Sequence, residues 1–262
     1  MNAQTLNLTL PTSWAELSQQ QLYYLFLQLS RDLTAEETMA LCLFKWSGLK
    51  VITRLENGLY LVVRKEQATG KRRKRKVQYE LTAQQLCCAA LFLEWIKELP
   101  TMPIHLDKIG RHKALAVDFD KVPFEKFLYV DNLWQGYLQT KDADFLRQMA
   151  EVLYDHDGIR LNAAEEVAVF YWFASLKAWM AKKFDHFLKP VGEAQGESNG
   201  LGFTPDIGAK IEQAYNAQVR ALTGGDITKE HEVLQSNTLR ALAELNAKAK
   251  EAEEYRKAAK VH

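Results

Sequence analysis

The sequence predicts a mainly α-helical α+β protein, a helical bundle that carries a small antiparallel β-hairpin insertion. Three observations predict this class. N-cap motifs recur ahead of apolar residues at helical spacing, one region has β-branched residues and an Asn-Gly turn, and residues 167–176 form an apolar segment typical of a central buried helix. The 262 residues are 47% hydrophobic and 26% charged. This composition excludes a disordered chain, a collagen-like fibre and a disulfide scaffold.

The N-terminal helices follow from three capping boxes. Residues Ser13–Glu16 predict a first helix, and Thr34–Glu37 predict a second helix that ends at Gly48. Residues Thr82–Gln85 predict a third helix, which continues to about Leu99 before two prolines end it.

The β insertion is predicted at about residues 49–81. Its strands are expected over residues 49–55, 59–63 and 77–81. Because both central residues of a type I′ turn need positive φ, the Asn57-Gly58 pair predicts that turn between the first two strands.

The middle of the chain is expected to return to helices. Residues 114–119 are predicted to form a strand that pairs with residues 103–106. Helices then begin near Pro123, at Asp142 and at Asn162, and the last of these runs to about Leu188.

A linker is predicted at residues 190–203, where glycines are frequent and apolar residues are few. Residues 1–189 would then form the main helical domain and residues 204–262 a C-terminal helical hairpin. The last helix is expected from about Thr228 to Ala258. A weak coiled-coil seam is predicted along it at Thr238, Leu242, Leu245, Ala249 and Ala252.

The strongest charge feature is a basic segment at residues 64–76, which holds eight basic residues and one acidic residue. The net charge is +1 for the whole chain, but +7 for this segment and −6 for the remainder. Such a concentration predicts contact with an anionic surface, and nucleic-acid phosphate is one hypothesis. The segment has no aromatic residue for base stacking. A solvated hairpin tip, contact with the acidic C-terminal half and a nuclear-import signal stay open. The candidate anion-binding residues are Arg64, Lys65, Lys71, Arg72, Arg73, Lys74, Arg75 and Lys76.

No catalytic constellation is recognisable, so the sequence predicts a protein that is not an enzyme and has no cofactor or metal. No phosphate-binding loop, dinucleotide fingerprint or metal-ligand spacing occurs. Asp155 and His156 lie in a segment, Tyr154–Gly158, that favours a turn between helices. The rival hypothesis is a metal-dependent enzyme built from these two residues and the carboxylates of residues 105–120.

The cysteines and the apolar segments indicate a soluble protein of a reducing compartment. Cys42, Cys87 and Cys88 are an odd number of thiols among apolar neighbours, so we expect them to be packed and reduced. The N-terminus lacks the features of a signal peptide, and no apolar stretch reaches the length of a membrane span. We therefore predict a cytoplasmic protein without membrane contact.

Three segments share patterns with a known group of proteins. Residues 10–18 follow a Pro-x-x-Trp-x-Glu-Leu pattern, and residues 145–154 follow a helical pattern of leucines that ends in a tyrosine. The third segment is near the C-terminus, where residues 220–230 contain Thr-Gly-Gly-Asp and residues 242–245 read Leu-Ala-Glu-Leu. Together they resemble proteins of phage and prophage tail modules, including tail assembly chaperones. The resemblance implies a non-enzymatic protein of tail or virion assembly, in the host cytoplasm or on the virion. Its partners would be other phage structural or tail proteins, bound through helical surfaces, and no catalytic residue is implied. The alternative is a nucleic-acid-binding accessory protein that uses residues 64–76.

Overall fold

The structure, a computed structural model, describes residues 6–67, 74–188 and 207–259. Within these ranges the chain is mainly helical and carries a three-stranded and a two-stranded antiparallel sheet, which confirms the predicted fold class. The chain divides into two compact units. The first comprises Met1–Pro100 and Asn162–Ala168, and the second Thr101–Leu161 and Val169–His262.

The first unit begins with a 3₁₀ turn, Trp14–Glu16, and the helices α1 (Gln19–Leu29) and α2 (Ala35–Ser47). The predicted Ser13–Glu16 capping box is wrong, because the Glu16 carboxylate accepts hydrogen bonds from Thr12 and the Ser13 side chain caps nothing. The capping box that opens α1 is instead Ser18 with Gln21. The Thr34–Glu37 box and the end of α2 at Gly48, with φ +73°, are confirmed.

The three-stranded sheet contains β1 (Lys50–Arg54), β2 (Tyr60–Gln67) and β3 (Lys74–Leu81), with β2 in the centre. Its inner face packs Val62 and Tyr79 against Leu49. The type I′ turn is wrong: Gly58 has φ +82° whereas Asn57 does not have positive φ, and the Gly58 N–H donates to the Leu55 carbonyl. Gly58 therefore follows a turn centred on residues 56 and 57, as in a three-residue hairpin loop.

Helix α3 (Ala83–Leu91) follows the sheet and opens with the predicted Thr82–Gln85 capping box. It ends earlier than the predicted Leu99, and a 3₁₀ turn, Glu94–Lys97, follows it. The core of the first unit lies between α1 and α2. Its largest fully buried side chains include Leu25, Phe26, Met39 and Leu43.

The second unit begins with a short hairpin of β4 (Lys108–Ile109) and β5 (His112–Lys113). The predicted strand over 114–119 is wrong. The Leu115 N–H donates to the Leu153 carbonyl, and Phe119 has φ +63°, which a strand residue does not adopt. This segment instead lies in irregular structure.

Helices α4 (Phe124–Thr140), α5 (Ala143–Leu153) and α6 (Ala163–Lys183) follow, and Asp142 caps α5 as predicted. The long central helix is confirmed, although it ends at Lys183 rather than near Leu188. Trp172, Phe173 and Leu176 are fully buried within the second unit.

The C-terminal region contains α7 (Ile207–Thr223), a 3₁₀ turn Ile227–Lys229, α8 (Glu230–Gln235) and α9 (Thr238–Ala259). The prediction of one helix from Thr228 to Ala258 is wrong, because the chain breaks at residues 236–237. At this break the Phe124 N–H donates to the Ser236 carbonyl, and the N–H and hydroxyl of Thr238 both donate to the Val122 carbonyl.

The C-terminal helices belong to the same compact unit as α4 and α5, which differs from the predicted separate hairpin over 204–262. The reason is that Val219, Leu242 and Leu245 complete the core around Phe127 and Trp172. The predicted linker, residues 190–203, lies outside the described residues. The seam along α9 is buried at its first three positions, whereas Ala252 is exposed.

Candidate functional site

The basic segment forms the outer end of the β2–β3 ribbon. Of its predicted site residues, Lys71, Arg72 and Arg73 lie outside the described residues. The remaining five are Arg64, Lys65, Lys74, Arg75 and Lys76. The register places Lys65 directly opposite Lys76, next to the pair of Glu66 and Arg75. Like charges in directly opposite positions destabilise a strand pair.

Alternation along the strands divides these basic residues between the two faces of the sheet. Arg64 shares the inner face with Val62, and its Nη1 donates to the Asn7 carbonyl at 2.7 Å. Lys65 and Lys76 lie on the outer face. Lys50 in β1 pairs with Val63, which precedes Lys65, so Lys50 lies on the outer face as well.

We call Lys50, Lys65 and Lys76 the lysine face. All three side chains are exposed, and within the described parts of the chain none of them forms an ion pair. Sequence analysis missed Lys50, because it lies outside the basic segment and joins the other two only through strand register. Alternation counted back from the Asn57-Gly58 loop would place Lys50 on the opposite face, because it does not account for the bulge between Val51 and Thr53, which shifts the register by one residue.

The rest of the outer face has no aromatic side chain among the described residues. It contains one carboxylate, Glu80, near the far end of β3. This face can therefore hold an anion through charge but offers no ring for base stacking. The other positions that strand register places here are Thr53, Leu61, Val63, Gln67, Lys74 and Gln78.

A second surface is formed by α3, an apolar helix none of whose residues is buried. Leu91 is 54% exposed, and Phe92, which follows it, is 73% exposed. A cavity of about 460 Å³ lies between this helix and the extended N-terminal segment. Its apolar lining includes Leu6, Leu8, Leu10, Cys88, Ala89 and Phe92.

The cysteines differ from one another. Burial raises the pKa of Cys42 to about 12, so this thiol is packed as predicted. Cys87 and Cys88 are exposed on α3, so the expectation that they are packed is wrong. Their helix has apolar residues on several sides, and the first unit does not cover them.

The Asp155–His156 segment forms the predicted turn. Asp155 has φ +48° and its carboxylate pairs with Lys126 Nζ at 2.5 Å, while the His156 N–H donates to the Glu151 carbonyl. The His156 ring stacks on His112 at a centroid distance of 3.6 Å. An ion-paired carboxylate and a stacked imidazole do not form an acid–base pair with each other.

An open groove of about 820 Å³ lies beside this turn in the second unit. Its acidic lining residues are Glu125, Glu151, Asp155 and Asp157. The pKa of Tyr215, which also lines it, is raised by burial and by the charges of Glu230 and Glu125.

The carboxylates of residues 105–120 serve local contacts instead of lining this groove. Asp107 lies near His105, and Asp118 accepts a hydrogen bond from the Asp120 N–H. Among the described residues, no group of three or more His, Cys, Asp or Glu side chains could hold a metal ion. The structure thus does not bring together the residues of the metal-enzyme hypothesis.

Comparison with known proteins gives no relative for this chain. No protein-family model, curated protein or solved structure matches it. In the part of the chain that the structure describes, none of the helices combines the length and apolar character needed to cross a bilayer.

Proposed function

We propose that the protein acts without catalysis in the assembly of a phage or prophage tail or virion, by binding other phage proteins. The resemblance of residues 10–18, 145–154 and 220–230 to tail-module proteins supports the biological setting. The exposed surface of α3 supports the mechanism. On this proposal the protein works in the host cytoplasm or on the virion.

The observation that carries this proposal is that α3 is apolar and has no buried residue. A phenylalanine side chain buries about 150–250 Å² when covered. Complete burial of such a side chain is worth about 1.5–3 kcal/mol, so covering Phe92, which is 73% exposed, is worth about 1–2 kcal/mol. Contiguous exposed apolar surface of this kind is typical of protein-binding sites.

The partner that fits this surface is an amphipathic apolar segment of a tail protein. Gln85, Cys88, Ala89 and Phe92 line the cavity at helical spacings of three, four and seven residues, so they form one stripe along α3. The opposite wall is the leucine-rich segment of residues 6–10. A helix laid between these walls would bury its apolar face on both sides.

Co-purification with a phage tail-tube or tape-measure protein tests the proposal. We expect Phe92→Ser to weaken binding at least about tenfold, because truncation of a central aromatic side chain typically costs 2 kcal/mol or more. Ile227→Ser is the matched control, since Ile227 is 79% exposed but lies in the second unit. Equal binding by wild type and Phe92→Ser would contradict the proposal.

Nucleic-acid binding through the basic ribbon is the second candidate function. The observation that favours it is the cluster of like charges, in which Lys65 lies directly opposite Lys76 without an ion pair among the described residues. A bound polyanion would relieve the repulsion between them.

A further inference from the structure

We infer that the lysine face binds the phosphate backbone of double-stranded nucleic acid. This inference rests on the second candidate function and defines its surface. It adds Lys50 to the site and removes Arg64, so the interface follows the outer face of the sheet rather than the basic run in the sequence.

The three lysines form one contiguous cluster. Lys65 and Lys76 are opposite each other, and such side chains have Cβ atoms about 4.5–5.5 Å apart. Lys50 pairs with Val63, so it is the diagonal neighbour of Lys65 across the β1–β2 pair. The cluster therefore has one lysine on each of the three strands. The register adds the Lys74 position to the same face.

The arginines of the inner face do not form a comparable cluster of exposed charges. Arg64 donates to the Asn7 carbonyl, and the Arg54 guanidinium lies over the Tyr60 ring at 5.8 Å. Arg75 pairs in register with Glu66, on the inner face. Arg54 and Arg64 are thus committed to contacts within the first unit.

The chemistry of the outer face favours phosphate over a protein partner. Lysine is depleted in the centre of protein–protein interfaces, whereas interfaces with nucleic acid are strongly positive. Val63, which lies beside Lys50, and Leu61, the next apolar residue along this face, are only partly exposed. Charge is therefore the main property that this surface offers to a ligand.

Duplex is favoured over single strand because the described residues of this face include no aromatic ring for stacking. Single-strand binding without sequence preference combines charge with aromatic stacking. A duplex carries one negative charge per about 1.7 Å of its axis and needs no base contact to be held. The binding is expected to be independent of base sequence and strongly dependent on salt.

The experiment measures fluorescence anisotropy of a labelled DNA duplex of about 20 base pairs, titrated with protein between about 50 and 200 mM salt. The test variant combines Lys50→Gln, Lys65→Gln and Lys76→Gln. The matched control combines Arg54→Gln, Arg64→Gln and Arg75→Gln, which removes the same charge from the other face of the same sheet. Circular dichroism verifies that both variants are folded.

We expect the lysine variant to reduce the magnitude of the slope of log affinity against log salt by about 2.7, since each phosphate contact contributes about 0.9. The arginine variant should change it by less than about 1. Weaker binding to the single strand of the same sequence than to the duplex is also expected.

Three outcomes would overturn the inference. An equal reduction of the salt slope in both variants would refute the assignment to the outer face, although the protein would still bind nucleic acid. No binding of duplex by the wild type would refute both the inference and the second candidate function. Tighter binding of the single strand, or of polyglutamate, would refute duplex as the ligand.

Discussion

Replacement of Leu242 by alanine tests whether the C-terminal helices and α4–α5 form one cooperative unit. Leu242 lies on α9, has no exposed surface and belongs to the core cluster that contains Phe127 and Trp172. The α9 backbone is also anchored at Val122, whose carbonyl accepts two hydrogen bonds from Thr238. Loss of this side chain should therefore destabilise the second unit as a whole.

The magnitude follows from the complete burial of Leu242. Buried Leu→Ala substitutions cost about 2.7–5.0 kcal/mol, the sum of lost transfer free energy and a residual cavity. We take about 3 kcal/mol, near the lower end of this range, because the surrounding side chains are expected to relax partly into the space. For a cooperative unit of this size each kcal/mol lowers the Tm by about 2–4 °C, so the expected decrease is about 6–12 °C.

Thermal and urea unfolding followed by circular dichroism at 222 nm measure this effect. Leu138→Ala is the control, because Leu138 lies on α4 in the same unit but is 40% exposed. We expect the Leu138→Ala control to lower the free energy of unfolding by less than about 1 kcal/mol. A comparably small loss in Leu242→Ala would refute the reasoning. So would a new early transition confined to part of the helical signal, since residues 204–262 would then fold separately.

Three further predictions concern single sites. A thiol reagent should label two of the three cysteines in the folded protein and the third, Cys42, only after unfolding, because burial raises the pKa of Cys42 to about 12. Hydrogen bonds from the Thr228 hydroxyl and N–H lower the pKa of Asp226. The ionised carboxylate therefore stabilises the fold above the ordinary carboxyl pKa, and this contribution is lost as the pH falls through the lowered value. Asp226→Asn should thus make unfolding less sensitive to pH between about 5 and 2 in urea titrations. Thr34→Ala should lower the free energy of unfolding by about 1 kcal/mol in the same assay, because it removes the hydrogen bond to the Glu37 N–H.

Helix starts were predictable where the capping residues depend only on near neighbours. The Thr34 and Thr82 boxes form as the sequence pattern indicates. The Ser13 box fails because Thr12 competes for the Glu16 carboxylate through both its N–H and its hydroxyl. Thr12 is also close in sequence to Glu16. However, the capping-box pattern does not tell whether the Glu16 carboxylate will bond to Thr12 or to Ser13.

Contacts distant in sequence decide the features that were missed. The helix break near residue 236 exists because Val122 and Phe124 provide hydrogen-bond partners more than 110 residues earlier in the chain. The failed strand over 114–119 has a similar cause, since Leu115 bonds to the end of α5. Neither partner can be recognised from the segment itself.

The candidate surfaces were predictable in part. The charge of the basic segment was evident from composition, but its division between two faces depends on the register of β2 and β3. The exposure of α3 was not evident, because an apolar helix is ordinarily covered by its own domain. The exposure of Phe92 depends on how the other elements of the first unit pack, and the sequence of α3 alone does not determine this packing.

The order of the sheet leaves β1 and β3 as its two borders, each with backbone groups available to an additional strand. Along β3, three consecutive basic residues begin the strand, and along β1 a bulge between Val51 and Thr53 interrupts the regular spacing. Charge and irregularity are the devices by which sheets avoid polymerising with other molecules. Charge along β3 and the bulge in β1 are therefore expected to disfavour pairing of either border with a strand of a second molecule.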